Sequence, residues 1–260
     1  MDPRPRSRFR AVLCDLDDTL FDHRHATRRA LGDLRLAEPA LAAWPMEELE
    51  QRHGEILEEL HGEVLAGRRT IDSARNERFD RLLKAVGADR VAERAVTAAG
   101  CYRVAYEAAW RPVPGARALL EAITASGRVV GVVTNNKVAE QRRKLDRTGL
   151  APFVSALVTS EEVGVSKPAP RIFEAALDAL ELAAGDVVML GDAWSTDIVG
   201  AVEVGIRAVW FNPRGRSSPD TAVPEVQALE PTRDVLDVLF DGLPAPPRTL
   251  GPGRRGRLRR

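Results

Sequence analysis

Two textures of hydrophobic patterning alternate along the chain. Short apolar runs, rich in β-branched residues, occur at 11–14, 129–133, 156–158, 187–190 and 208–211. Each is bounded by Gly, Asp, Asn, Thr or Ser. Runs so short and uniform suit strands buried on both faces of a parallel sheet. Helical spacing lies between the later runs: over 171–182, Phe173, Ala176, Leu177 and Leu180 share one face. The alternation predicts a doubly wound α/β fold with a parallel sheet.

The stretch from Asp22 to Trp110 breaks this pattern, with no convincing strand run. Its spacing predicts four helices, roughly 23–36, 46–66, 70–86 and 88–110, punctuated by Pro39, Pro45, Gly67 and Gly87. In the second, Met46, Leu49, His53, Ile56, Leu57, Leu60 and Val64 recur at helical intervals; in the third, Ile71, Ala74, Phe79, Leu82, Leu83 and Val86 do so. The run from Arg111 to Gly115 then restarts the α/β texture. The expected organisation is an α/β core of 11–21 and 111–243, with a helical bundle of 22–110 inserted after the first strand. A basic extension, 1–10, precedes the core, and a Pro/Gly/Arg-rich tail, 244–260, is expected to be disordered.

Composition changes this picture at few points. The 260 residues hold 38 Lys+Arg and 38 Asp+Glu, so the formal net charge is zero. The sum hides a division: residues 1–10 carry +3 and 241–260 carry +5, leaving −8 on 11–240. At 44% hydrophobic and 29% charged, the chain is neither collagenous nor globally disordered. Only Ala11–Cys14 follow the basic start as an apolar run, short of the roughly 7–15 residues of a secretory h-region. No stretch approaches the roughly 20 apolar residues of a membrane span. Cys14 and Cys101 make no disulfide framework and are expected as two reduced, buried thiols in a cytoplasmic protein. Lys84, Lys137, Lys144 and Lys167 are the only lysines.

In an open parallel sheet, ligands bind beyond the carboxyl ends of the strands. The residues just past each apolar run are therefore informative. Asp15-Leu16-Asp17-Asp18-Thr19-Leu20 succeeds the first run, and Thr134-Asn135-Asn136 the second. Ser166-Lys167-Pro168 lies a little beyond the third, and Gly191-Asp192, with Asp197, comes after the fourth. Strand alternation sends Asp15 and Asp17 toward the same side, where they repel without an intervening cation or proton. Hard carboxylate oxygens of this kind suit Mg²⁺. A carboxylate is also a nucleophile able to form an aspartyl-phosphate. Lys167, Thr134 and backbone N–H groups would hold the phosphate oxygens. Each element alone has an ordinary explanation: a solvated turn, a helix cap, a loop lysine. Their order, strand-end placement and complementary chemistry argue against coincidence.

Taken together, these residues resemble the haloacid dehalogenase (HAD) superfamily over roughly 11–240. The four motifs are Asp15 to Thr19, Thr134-Asn135, Lys167 to Pro170, and Gly191-Asp192 through Asp197. The helical insertion resembles the C1 cap of subfamily I, above a Rossmann-like core. The resemblance implies that Asp15 is the nucleophile and a Mg²⁺ ligand. Asp17 is implied to ligate through its backbone carbonyl and to act as general acid and base. Thr134, Asn135 and Lys167 are implied to bind phosphate, and Asp192 and Asp197 to serve the metal. Halide leaves without a proton, whereas an alkoxide benefits from an acid by roughly 10²–10⁴ in rate. The acid at Asp17 therefore favours a phosphomonoesterase, a nucleotidase or sugar-phosphate phosphatase among the options, over a 2-haloacid dehalogenase. A phosphonatase- or phosphomutase-type enzyme is a further alternative; the former needs a cap lysine, and Lys84 is the only one.

The family pattern is not matched everywhere. Ala193 and Trp194 come after Asp192 where many members carry a small hydroxyl residue. Substrate choice is expected from the cap, with His23, Arg24, His25 and Arg28 as candidates; an Arg-rich first helix is otherwise a solvated face. The expected partner is a small phosphorylated metabolite, with no membrane and a monomer or homodimer as the working form. A different class of function is a catalytically silent fold whose basic tail holds nucleic acid. The tail's five arginines in 254–260 lack interleaved aromatics, so that partner is disfavoured.

Overall fold

A computed structural model describes residues 8–240. The expected disordered tail at 244–260 and most of the N-terminal extension lie outside the described residues. Phe9 and Arg10, assigned to that extension by sequence, belong to the fold. Phe9 is 2% exposed. The Arg10 N–H donates to Asp186 O, and Val129 N–H donates to Arg10 O. Backbone pairing thus begins one residue before the first strand.

The elements run β1 Ala11–Cys14, α1 His23–Ala37, α2 Pro39–Ala42, α3 Met46–Leu65, α4 Ile71–Ala85, α5 Val91–Ala108 and α6 Ala116–Ala125. Next come β2 Val129–Thr134, α7 Val138–Arg147, β3 Val154–Thr159, α8 Ser160–Val163, α9 Pro170–Leu180 and β4 Val187–Gly191. A π-helical turn, Trp194–Ile198, leads into α10 Val199–Glu203, then β5 Arg207–Phe211, β6 Glu225–Val226 and α11 Thr232–Phe240. The sheet is parallel throughout, in the order β3-β2-β1-β4-β5-β6. The order departs in both directions from β1, so the crevice at the carboxyl ends of β1, β2 and β4 is the topological switch point.

Strand alternation sorts the side chains into two cores. Val12, Cys14, Val130, Val132, Val188, Leu190, Val209 and Phe211 face one side, packing with α6 and α11. Ala11, Leu13, Val133, Val187, Met189, Ala208 and Trp210 face the other, against Ile172, Phe173 and Ala176 of α9. With both faces covered, each strand reads as a continuous apolar run. The first core continues without a break into the inserted helices through Phe21, Ala26, Ala30, Leu31, Leu34, Leu49, Phe79 and Tyr102.

The expected helices of the insertion form, with the short α2 added between the first two. Asp22 caps α1 by accepting from His25 N–H at 3.0 Å, and Thr70 caps α4 by accepting from Ser73 N–H at 3.2 Å. The two crossings between core and insertion are tied together. Arg111 forks onto Asp22 Oδ2 at 2.9 and 2.7 Å, and Asp22 N–H donates to Arg111 O.

Cys14 is buried, and burial beside Asp15 pushes its thiol up. Cys101 is exposed, which corrects the expectation of two buried thiols. It lies on α5 one residue before buried Tyr102, and one residue turns a helix by about 100°. No helix among the described residues is long and apolar enough to cross a membrane.

Candidate active site

The site is assembled at the ends of three neighbouring strands. Asp15 succeeds β1, and its N–H donates to Leu190 O of β4 at 2.9 Å. Thr134 is the last residue of β2, and Asp192 succeeds the last residue of β4. Gly191 has a specific reason to be glycine: a Cβ there would stand 2.4 Å from the Asp197 carboxylate. The missing side chain lets the carboxylate fold back beneath the strand end.

Lys167 is the hub. It is 2% exposed, and its Nζ donates to Asp15 Oδ1 at 2.6 Å and to Asp197 Oδ1 at 2.7 Å. Burial alone would discharge this ammonium; the two carboxylates more than reverse that and push its pKa up. The loop carrying Lys167 is held by Asn135. Its Oδ1 accepts from Lys167 N–H at 2.7 Å, and its Nδ2 donates to Lys167 O at 3.0 Å. Both ends of that amide thus position the lysine. The buried Asp197 also accepts from Ala193 N–H at 3.0 Å.

Asp15, Asp192 and Asp197 each place a carboxylate oxygen within 4.8 Å of the others. Burial pushes the Asp15 carboxyl well above the usual range; Lys167 pulls it down, while Asp197 and Asp192 push it further up. Burial, then Asp197 and Asp18, raise Asp192 to about 7. One ammonium cannot balance three carboxylates, two of them buried and Asp192 half-buried. The donor set is all oxygen, and the cluster is short of positive charge, so these residues fit a hard divalent cation such as Mg²⁺.

Asp17 is not part of that cluster. Strand geometry ends at Cys14, so alternation does not carry on to orient Asp17 as the sequence suggested. Its Oδ1 accepts from Lys144 Nζ at 2.6 Å and its Oδ2 from Gln141 Nε2 at 3.1 Å. Burial opposes ionisation, but Lys144, His23 and these hydrogen bonds hold Asp17 down at about 2. Gln141 Nε2 also donates to Thr134 Oγ1 at 2.7 Å. Lys144 is 1% exposed and stands 4.7 Å from the centre of the Phe21 ring. Lys144 and Gln141 were not singled out by sequence. The available signal was the scarcity of lysine and an i, i+3 spacing on the helix after Thr134-Asn135.

A cavity of about 420 Å³ opens between the sheet end and the inserted helices. Asp17, Asn135, Lys144 and Ser166 border it on one side; His23, His61, Arg78, Phe79, Tyr102 and Tyr106 are among its walls on the other. Of the four cap residues expected to read the substrate, His23 lines it. The Tyr106 hydroxyl lies 2.7 Å from His23 Nδ1, and burial lowers the imidazole's pKa. Arg24, His25 and Arg28 are not among the lining residues. Arg28 instead pairs with Glu50 at 2.6 Å and Glu47 at 3.5 Å on α3. Arg24 contributes its backbone N–H to Asp18 Oδ1 at 2.8 Å. Trp194 packs edge-on against Trp210 at 5.1 Å.

Residues 9–205 match the family of haloacid dehalogenase-like hydrolases. The ribulose-1,5-bisphosphate 5-phosphatase of Halopiger xanaduensis is 32% identical over 245 residues, covering 89% of this chain and 98% of that protein. The pyrimidine 5'-nucleotidase YjjG of Escherichia coli is 40% identical over 118 residues, which span 44% of this chain and 50% of that protein. The magnesium-bound crystal structure of the HAD-hydrolase YfnB of Bacillus subtilis superposes with a TM-score of 0.75 at 26% identity, covering 88% of this chain and 99% of that one. With most of its length matched by that family, the chain belongs to the haloacid dehalogenase-like hydrolases.

Proposed function

We propose that the protein is a Mg²⁺-dependent phosphomonoesterase that hydrolyses a small phosphorylated metabolite through an aspartyl-phosphate on Asp15. The observation that carries this reading is the division of labour between two acids two residues apart. Asp15 is bound to Lys167, and Asp17 is held separately by Lys144 and Gln141. A dehalogenase has no use for the second acid, because halide leaves unprotonated.

The Asp15 carboxylate attacks phosphorus, and the ester P–O bond breaks. Lys167 holds Asp15 for this attack and offsets charge on the phosphoryl oxygens. Thr134 lies beside the same group, and Asn135 keeps the Lys167 loop in register. Asp17 rests ionised, but a phosphoryl dianion beside it raises its affinity for a proton. In that loaded state Asp17 protonates the leaving alkoxide. It then takes a proton from the water that hydrolyses the aspartyl-phosphate. Mg²⁺, held by Asp15 and Asp192 with the Asp17 carbonyl, and with Asp197 behind them, would supply charge neutralisation for an anionic substrate meeting an anionic nucleophile.

The named activities of the two phosphatase relatives support a small phosphorylated substrate. Two unbridged cysteines fit a cytoplasmic setting. We take the working form as a monomer or homodimer acting on a diffusible substrate.

The test is phosphate release from p-nitrophenyl phosphate. The reading expects release with Mg²⁺, none with EDTA, and a fall of more than about 10³-fold in Asp15→Asn. Halide release from a 2-haloacid without phosphate release from any ester would overturn it.

A further inference from the structure

The cavity wall carries an unbalanced charge. Its other Arg and Lys side chains have carboxylate partners: Arg75 with Glu140, Arg103 with Glu107, and Lys144 with Asp17. Arg78 differs. Its guanidinium lies 4.9 Å from the centres of both the Phe79 and Tyr102 rings. It forms no hydrogen bond or ion pair with any described residue, and its Nε is shielded from solvent without an acceptor. Glu140 is the nearby carboxylate, but Arg75 already holds it, and Lys144 approaches it at 3.5 Å. Trp110 Nε1, on the same wall, is a second shielded donor without an acceptor.

Shielded donors without acceptors are costly, and a guanidinium more so than a neutral group. The aromatic faces compensate Arg78 in part, by cation–π attraction, but offer no hydrogen-bond acceptor. Its planar fork matches a carboxylate or a phosphate. The cavity that Arg78 lines also reaches Asp17 and Asn135, where the reacting phosphoryl group would sit. At about 420 Å³ it has the size of a small-ligand site.

Resting on the phosphatase reading, we propose that Arg78 receives a second anionic group of the substrate, remote from the phosphoryl group that is cleaved. The substrate class is then a small metabolite with a phosphate ester at one end and a carboxylate or second phosphate at the other. Charge on Arg78 makes this a specificity contact, since it touches neither the bond broken nor the nucleophile.

The test compares three probes: sn-glycerol 3-phosphate, with one anionic group; 3-phosphoglycerate, which adds a carboxylate; and fructose 1,6-bisphosphate, which adds a phosphate. Binding is measured by calorimetry with Mg²⁺ in an Asp15→Asn background, alone and with Arg78→Gln or Arg78→Lys. The proposal expects at least one doubly anionic probe to bind about 10-fold or more tightly than glycerol 3-phosphate. Arg78→Gln brings that ratio to near one, and Arg78→Lys leaves it intermediate. Which probe is preferred identifies the carboxylate or the phosphate as the second group. A ratio near one in the parent, or a ratio unchanged in Arg78→Gln, overturns the proposal. Should Arg78→Gln not fold, an unchanged ratio in Arg78→Lys overturns it. Turnover of p-nitrophenyl phosphate by the wild-type chain is scored separately, so failure of the phosphatase reading is distinguishable from failure of this one.

Discussion

The strand-end cluster and the cavity wall above it handle buried charge in opposite ways. At the strand ends, most charged groups have a partner of opposite charge or a hydrogen-bond donor. Lys167 joins Asp15 to Asp197, Lys144 and Gln141 hold Asp17, and Asn135 fixes the Lys167 backbone. On the wall, Arg78 and Trp110 present donors that no described residue satisfies. The cluster is cross-linked from several directions yet short of positive charge, which suits a cation, whereas the wall is short of acceptors, which suits an anion. On the proposed reading, the core holds the constant chemistry and the inserted helices hold the choice of molecule.

The comparison is broken most severely by removing its hub. Lys167→Met leaves two buried carboxylates without their cation. It should cost about 3–5 kcal/mol at pH 8, read by urea denaturation, and remove phosphate release. Wild-type stability in this variant would mean that the cluster is not held by its lysine.

The next largest effect concerns pH and metal. The Asp192 carboxyl is raised in the fold from 3.8 to about 7, so the folded state holds its proton more tightly than the unfolded chain does. Its contribution is fully present below about pH 4 and is lost as pH rises through about 7. The melting temperature of EDTA-treated protein should therefore fall by several degrees from pH 5 to pH 8. Mg²⁺ should raise it more at pH 8 than at pH 5. Equal Mg²⁺ stabilisation at both values would contradict the charge deficit of the cluster.

A finer cut separates the two acids. In Lys144→Met, Asp17 loses the partner that helps hold it at about 2, and its pKa rises. The wild-type contribution of this depressed group is present above about pH 4 and lost as pH falls toward 2. The variant should lose about 1–3 kcal/mol at pH 7. The acid limb of its pH–rate profile should move upward, a shift that destabilisation alone does not produce. An unmoved limb would detach Lys144 from the function of Asp17.

The smallest effect is expected at Arg28, whose ion pairs with Glu50 and Glu47 lie on an exposed face. Arg28→Ala should change stability by no more than about 0.5 kcal/mol and leave kcat/KM within about 2-fold. A large rise in KM would put a substrate contact outside the cavity and blur the division between reaction end and wall.

Much of this molecule was legible in the sequence because its signals are local. Both-face burial makes a parallel strand a plain apolar run, so five of the strands stand near their expected positions. The sixth, Glu225–Val226, is two residues long and exists by pairing with Trp210 and Phe211, which no pattern at 225 announces. Asp15, Thr134 and Asp192 were legible because each stands at or just past a strand end, and Lys167 and Asp197, further beyond β3 and β4, because they complete a chemically complementary set. Arg24, His25 and Arg28, expected from sequence to read the substrate, stand outside the cavity lining for a geometric reason. A helix turns about 100° per residue, so closeness in sequence to Asp15 does not mean closeness in space.

The sequence by itself determined the alternation of strands and helices, the insertion after the first strand and the inventory of acids and one lysine at the strand ends. These depend on period, composition and order, which are properties of neighbours along the chain. The tertiary structure decided which charges meet. It turned Asp17 to Lys144 and Gln141, gathered Asp15, Asp192 and Asp197 around a charge deficit, and left Arg78 against two rings with no carboxylate. The physical reason is that burial and pairing depend on elements distant in sequence: the partners of Lys167 lie 152 and 30 residues away, and that of Lys144 lies 127 away.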